Sequence, residues 1–174
     1  MKSFHVVFFR QRSKHNLFAR SIQLVMNKNW NHVEIVVCEP YQLPINNDAL
    51  SFGAIAPKSR KAKMSEVSEH YFFEKAIQLH TTVSDDAAMA ILEHLLNKNY
   101  SFSQILLISM KILCGGLISW LPYVKLNLEK YLICTELVGV FMQEACSIRF
   151  EASPEMLTIN DVEELAMKNI QRFT

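Results

Sequence analysis

Residues 30–38, WNHVEIVVC, predict the strand that organises the fold. Successive side chains of an extended chain point to opposite sides, so the aliphatic residues at 33, 35 and 37 share one face. His32 and Glu34 lie together on the other face. The pattern therefore predicts a strand from His32 to Cys38 that begins with a histidine and carries a glutamate two residues later.

Three further runs predict neighbouring strands. Phe4 to Phe9 is short and rich in Val and Phe, which is typical of a buried strand. Turn residues after Cys38 lead into a β-like run from Ala49 to Ala56, which we expect to form a hairpin with the His32 strand. Alternating apolar residues predict a strand within Phe72 to Thr82. The basic run from Lys58 to Lys63 is interpreted as a solvated loop.

Helical periodicity is strongest in the later part of the chain. Ser84 supplies an N-cap, and two aspartates supply first-turn acids, for a helix through Asn97. Another helix is expected to begin near Cys134. The remaining predicted helices span Asn16–Met26, about Phe102–Ser119 and Ile159–Asn169. The predicted fold class is α+β, with a small antiparallel β-sheet or barrel packed against helices in a single domain covering residues 1–174.

The composition excludes several classes of protein. The 174 residues are 50% hydrophobic and 20% charged, which excludes a disordered chain. Lys and Arg number 18 against 17 Asp and Glu, and the net charge of +1 gives no basic excess for binding nucleic acid. The four cysteines form no CxxC pair, and the histidines have no metal-ligand spacing. We therefore expect free thiols in a reducing compartment and no metal or other cofactor.

Two segments bear on where the protein acts. The apolar run from Val6 to Phe9 is shorter than the about 7–15 residues that a secretory signal needs, so we expect a cytoplasmic protein. Residues 105–124, ILLISMKILCGGLISWLPYV, carry Lys111 as their only charge, but two glycines and a proline interrupt them. We interpret residues 103–124 as an apolar helical segment that is buried or docks on the surface, with a peripheral membrane contact as the alternative.

Cys134 and His32 are the candidate catalytic residues. The backbone N–H groups and the dipole of a helix start favour a thiolate, which suits the predicted position of Cys134 to nucleophilic attack. A nucleophilic thiol needs an imidazole within hydrogen-bonding reach, and the start of a strand would present His32 rigidly. The imidazole in turn needs a polar partner. The neighbouring strand offers Ser51, and Glu34 lies on the histidine's own face at about 6.6 Å of rise.

Two motifs resemble those of a known family. WNHVEIV at 30–36 resembles the S-H-V-E-I strand, and ICTELV at 133–138 resembles the C-S-E-L-V helix start, of the circularly permuted NlpC-type cysteine hydrolases. In these papain-like proteins the histidine precedes the cysteine, as in the YiiX-like enzymes and, more distantly, lecithin:retinol acyltransferase. NYSF at 99–102 is similar to the family's K-Y-D-F element, and Ser153-Pro154 is similar to its s-P-x-x-L segment.

The resemblance implies a permuted papain-like fold and a cysteine peptidase or amidase. Cys134 would be the nucleophile, His32 the general base, and the backbone N–H of Cys134 part of the oxyanion hole. The family carries its third polar residue on the strand after the histidine strand, often as Glu or His, and the resemblance implies Ser51 as the third catalytic residue here. The expected substrate-binding residues are Tyr100, Thr135 and Trp30, with core or rim packing as the other interpretation of the two aromatic side chains.

Three functions stay open on the sequence alone. The first is hydrolysis of an amide or isopeptide bond in a peptide, including peptides of the cell-wall type. The second is acyl transfer to or hydrolysis of a lipid, since the apolar residues 105–124 would dip into a bilayer surface. The third is a catalytically inactive module that binds a peptide or a partner protein, because Ser51 supplies no carboxylate. The sequence predicts no oligomeric state.

Overall fold

The centre of the sheet forms where the sequence predicts it. The computed structural model describes residues 1–12, 29–40, 42–55, 57–101, 131–150, 154 and 157–171. Its first three strands are β1 (Ser3–Gln11), β2 (His32–Cys38) and β3 (Leu50–Ile55). β2 pairs antiparallel with both of the others. The predicted N-terminal strand and the predicted hairpin between β2 and β3 are confirmed.

The basic run forms a strand, so its interpretation as a loop was wrong. β4 (Lys58–Lys63) pairs antiparallel with β3 along its whole length, and Gly53 lies opposite Arg60. Ser59 and Ala62 are buried, whereas the lysines of the run are exposed. Strand pairing is made by backbone N–H and C=O groups, and exposed cationic side chains do not prevent it.

The sheet is completed on both sides by strands that lie far away in the sequence. β5 (Tyr71–Leu79) pairs antiparallel with β1, close to the predicted strand within Phe72 to Thr82. β6 (Asn99–Tyr100) pairs antiparallel with the start of β4, and β7 (Tyr131–Leu132) adds to β6 in parallel. The strand order is β5-β1-β2-β3-β4-β6-β7. The result is an open sheet of six antiparallel strands with β7 at one edge.

Four helices are present in the described residues: α1 (Met64–His70), α2 (Asp85–His94), α3 (Cys134–Cys146) and α4 (Ile159–Gln171). The last three confirm predicted helices, and the Ser84 side chain accepts a hydrogen bond from the backbone N–H of Ala87, 3.3 Å away. Helix α1 was not predicted. The helices predicted for 16–26 and 102–119, and with them the apolar segment at 103–124, lie outside the described residues.

Hydrophobic side chains pack against both faces of the sheet. The larger cluster joins Ile35 of β2 to residues of the later helices such as Leu92, Phe141 and Val162. A smaller cluster joins Val36 to side chains of α1. β2 is buried along its whole length because it lies between the two clusters. The α+β class is confirmed, and the polar face of β2 lies on the same side of the sheet as α1.

No helix in the part of the chain that the structure describes has the length and apolar character needed to cross a membrane.

Candidate active site

His32 and Glu34 form a buried pair on one face of β2. Nε2 of His32 lies 2.7 Å from Oε1 of Glu34, and both side chains are almost completely buried. Residues two apart on a strand share a face, and the two side chains reach toward each other along it. Because Nε2 faces Glu34, Nδ1 is the ring nitrogen left for another partner.

Ser51 holds the second oxygen of the same carboxylate. Its hydroxyl donates to Oε2 of Glu34 from the neighbouring strand β3. In the register of β2 and β3, Ser51 lies opposite Val36, which places it diagonally from Glu34. The structure therefore brings Glu34 to the imidazole and Ser51 to Glu34. The rise of about 6.6 Å between residues 32 and 34 is a backbone distance, and two long side chains span it.

Gly53 leaves room for the Glu34 carboxylate. A Cβ atom on Gly53 would overlap the carboxylate and would lie 2.7 Å from Cγ of Glu34. Real Cβ contacts are not that short, so any larger residue at 53 would displace the glutamate. Glycine is therefore required here by close packing of a side chain against the backbone of β3.

Burial and neighbouring groups have opposite effects on the ionisation of this pair. Burial disfavours the Glu34 carboxylate, but the hydrogen bond and charge of His32, the Ser51 hydrogen bond and the charge of Arg60 lower its pKa below the usual value. Burial likewise disfavours protonated His32, yet Tyr71, Cys134 and Glu34 together raise its pKa well above the usual value. The hydrogen bonds and charges around the pair therefore favour the carboxylate form of Glu34 and the imidazolium form of His32.

Cys134 reaches the imidazole from the first position of α3. Strand β7 ends at Leu132, and Ile133 leads directly into the helix. Cys134 lies close enough to His32 to raise the pKa of the imidazole, and the residue is 7% exposed. Glu136 fixes this first turn by accepting the backbone N–H of Ile133 at 3.2 Å. The thiol thus lies beside the imidazole, at a helix end whose first backbone N–H groups have no partner within the helix.

Two tyrosines adjoin the pair. The ring of Tyr71, the first residue of β5, stacks on His32 with the ring centroids 5.0 Å apart. Tyr100 pairs with Leu132 through the β6–β7 register, next to the start of α3. Burial, Cys134 and Tyr71 all raise the pKa of Tyr100 above its usual value. Tyr71 was missed in the sequence because no local pattern marks it, and only the pairing of β5 with β1 brings it to His32.

The other two expected substrate-binding residues have different surroundings. Thr135 follows the nucleophile candidate, and its buried Oγ1 has no hydrogen-bond partner among the described residues. Trp30 packs against Phe8 at 5.6 Å between ring centroids, at the edge of the larger cluster. The structure places Thr135 at the site and gives Trp30 a packing contact with the core.

The remaining described cysteines lie in apolar surroundings. Cys38 and Cys146 are free and buried, and burial raises the pKa of both thiols, that of Cys146 to about 12. Cys114 lies outside the described residues. Within the described ranges, no three His, Cys, Asp or Glu side chains are grouped as a metal site requires.

The arrangement can support nucleophilic chemistry. It joins a thiol, an imidazole and a buried carboxylate in series, so a proton leaving the thiol has an acceptor whose charged form the carboxylate stabilises. The charges of the cysteine, histidine and glutamate can then change during a reaction without exposing any of them to water.

No protein-family model matches the chain, and a search of curated proteins finds no significant match.

Proposed function

We propose that the protein is a thiol-dependent hydrolase, a cysteine peptidase or amidase of the circularly permuted NlpC-type papain-like class, acting on an amide or isopeptide bond in a peptide. The observation that carries the proposal is the series Cys134, His32 and Glu34, with Glu34 Oε1 at 2.7 Å from His32 Nε2. The order of histidine and cysteine in the chain matches that class.

The first half of the reaction forms an acyl-enzyme. The Cys134 sulfur attacks the carbonyl carbon of the substrate while its proton resides on His32. The oxygen of the tetrahedral intermediate gains negative charge, which the free backbone N–H groups at the start of α3 stabilise. The carbon–nitrogen bond then breaks, and His32 gives its proton to the leaving amine.

The second half returns the enzyme to its starting state. Water attacks the thioester carbon, His32 takes a proton from it, and the carbon–sulfur bond breaks to release a carboxylic acid. Glu34 keeps the imidazole oriented and stabilises its protonated form in both halves. Ser51 is then a positioning residue, because its hydrogen bond goes to Glu34.

The alternatives have less support. The inactive binding module was motivated by the lack of a carboxylate at Ser51, and Glu34 provides a carboxylate at the imidazole. The lipid acyl enzyme was motivated by residues 105–124, which lie outside the described residues. The same acyl-enzyme chemistry would act on a lipid, so a substrate screen has to include phospholipid vesicles beside peptides.

Alkylation with iodoacetamide at several pH values tests the proposal, with mass mapping of each modified cysteine. We expect selective labelling of Cys134 at about pH 6, where an unactivated thiol with a pKa near ~8.5 reacts slowly. The raised pKa values of Cys38 and Cys146 make these two thiols slower still, so they serve as internal references.

His32→Ala should abolish the labelling at pH 6 but keep labelling at pH 9, where an unactivated thiol with a pKa near ~8.5 is mostly thiolate. His94→Ala is the matched control, because His94 is an exposed histidine at the end of α2. Uniform slow labelling of all cysteines in wild type, indifferent to His32, would remove the enzyme proposal. A Cys134 thioester detected by mass after rapid quenching with peptide or lipid substrates would identify the acyl donor.

A further inference from the structure

A cleft of about 660 Å³ opens beside the candidate site. It lies between the end of β1, strand β4 and the junction of α1 with β5. Tyr71 lines this cleft and also stacks on His32. The Tyr71 ring therefore lies between the cleft and the imidazole. The volume falls within the about 300–1,000 Å³ typical of sites for small molecules.

The lining of the cleft is strongly cationic. Arg12, Lys58 and Arg60 contribute to it, against Glu69 as its one carboxylate among the lining residues. This charge is local, because the whole chain has a net charge of only +1. Within the described residues, Arg12 donates from Nε to the backbone carbonyl of Tyr71 at 3.3 Å and lies over the Phe72 ring, whereas Nε of Arg60 has no hydrogen-bond partner.

Arg60 links the cleft to the site. It lies opposite Gly53, the residue that makes room for Glu34, and its charge lowers the pKa of the Glu34 carboxylate. Both oxygens of that carboxylate already accept hydrogen bonds, from Ser51 and from the His32 side. The Nε atom of Arg60 is buried and has no hydrogen-bond partner in the described part of the chain.

We propose that this cleft binds a carboxylate group of the substrate through Arg60, and that the enzyme therefore prefers a short acidic peptide; the proposal rests on the proposed function. A planar guanidinium binds a carboxylate with two parallel hydrogen bonds, and Nε of Arg60 has no hydrogen-bond partner among the described residues. Peptides supply carboxylates from their acidic side chains or their C-termini. Ile55 and Pro57 in the wall offer apolar contact to the carbon chain that carries the charge.

The test uses matched alkylating reagents that differ in the group at the end of the tail. One is 3-iodoacetamidopropanoate, its neutral control is the corresponding primary amide, and a third carries a phosphate on an ethyl tail. A second set with a longer carbon chain covers a greater distance from the thiol. The rate of Cys134 alkylation is measured for each reagent by mass mapping, and the ratio of charged to neutral rates reports on the cleft alone.

Arg60→Gln is the test variant, and Lys61→Gln is its matched control. The two residues are neighbours on β4, but the exposed Lys61 does not line the cleft and pairs with Glu93 at 2.7 Å. We expect the carboxylate reagent to react faster than its amide in wild type and in Lys61→Gln. Arg60→Gln should lower that ratio about three- to tenfold, as for the loss of one charge a few Å from the ligand. High salt should reduce the ratio in the wild type.

Equal ratios in the wild type and Arg60→Gln would overturn the proposal. An Arg60-dependent advantage for the phosphate tail alone would also overturn it and would assign the cleft to a phosphorylated substrate. Lys58→Gln gives a second reading if Arg60→Gln fails to fold, because Lys58 is exposed and lines the same cleft. The rate of Cys134 alkylation by the neutral reagent at pH 6 tests the proposed function. The ratio of charged to neutral rates is taken at pH 8.5, where any accessible thiol reacts, and tests the cleft proposal.

Discussion

His32 Nε2 and Glu34 Oε1 lie 2.7 Å apart on one buried face of a single strand. A carboxylate in this position orients the ring and stabilises its protonated form without help from a neighbouring strand. The neighbouring strand β3 acts on Glu34 and not on His32, because the Ser51 hydroxyl donates to the other oxygen of the Glu34 carboxylate.

Glu34→Gln should lower the pKa of His32, because it removes the negative charge that stabilises the imidazolium. For each unit by which the pKa falls, the protonated fraction above that pKa falls about tenfold. We therefore expect slower alkylation of Cys134 at pH 6 and a downward shift in an NMR titration of the His32 ring.

Ser51→Ala should shift the same titration less, since it removes a hydrogen bond from Glu34 but no charge. Ser59→Ala is the matched control, because Ser59 is a buried serine whose hydroxyl donates to the backbone carbonyl of Leu95 at 2.7 Å. An unchanged His32 titration in Glu34→Gln would contradict the role given to the carboxylate.

Gly53→Ala should disrupt the site through crowding. The added methyl group has no space beside the Glu34 carboxylate, so the carboxylate must move away from His32. We expect a lower melting temperature together with a lower His32 pKa, measured by thermal unfolding and NMR.

Gly139→Ala is the control that separates a general loss of stability from a displacement of the Glu34 carboxylate. Its added methyl group would meet the Leu157 side chain, and Gly139 lies five residues after Cys134 on α3. We expect a loss of stability with an unchanged His32 titration. If both glycine variants shift the titration alike, the effect is a general loss of structure and not a displacement of Glu34.

The His32–Glu34 pair should contribute to stability over a defined pH window. The folded-state pKa of Glu34 is lowered, so its contribution is present above the usual value of 4.5 and is lost as pH falls through the folded value. The folded-state pKa of His32 is raised, so its contribution is present below 6.5 and is lost as pH rises through the folded value. Both contributions are complete between about pH 5 and 6.

A double-mutant cycle of His32→Gln and Glu34→Gln measures that contribution by urea unfolding. We expect a coupling free energy of about 0.5–3 kcal/mol at pH 5.5, with a decrease toward strongly acidic and strongly alkaline pH. A coupling that does not change with pH would mean that the two groups interact as neutral hydrogen-bonding partners.

Glu136→Ala should destabilise the start of α3, because the buried Glu136 carboxylate accepts the backbone N–H of Ile133 at 3.2 Å. Loss of the partner of a buried hydrogen-bond donor costs about 1–3 kcal/mol of unfolding free energy. Thr135→Val is the control in the same turn, since the Thr135 hydroxyl has no partner among the described residues and its loss should not lower stability. Chemical denaturation of both variants decides the matter, and equal losses would contradict the capping role.

Much of the fold follows from local patterns in the chain. The alternation in residues 32–38 specifies β2, and Ser84 with its following acids specifies the start of α2. The same patterns place His32 at the first residue of a strand and Cys134 at the first residue of a helix. These features depend on residues within a few positions of one another, so the sequence by itself determined them.

The tertiary structure decided which residues meet at the site. The run from Lys58 to Lys63 has the charge of a loop, but it becomes a strand because β3 offers a backbone to pair with. Tyr71 reaches His32 only through the pairing of β5 with β1, and Arg60 approaches Glu34 only because Gly53 lies between them. The sequence predicts Glu34 on the same face of β2 as His32, but the contact between the two side chains depends on conformations fixed by packing. Contacts between distant segments arise when the whole core is packed, and no local pattern encodes them.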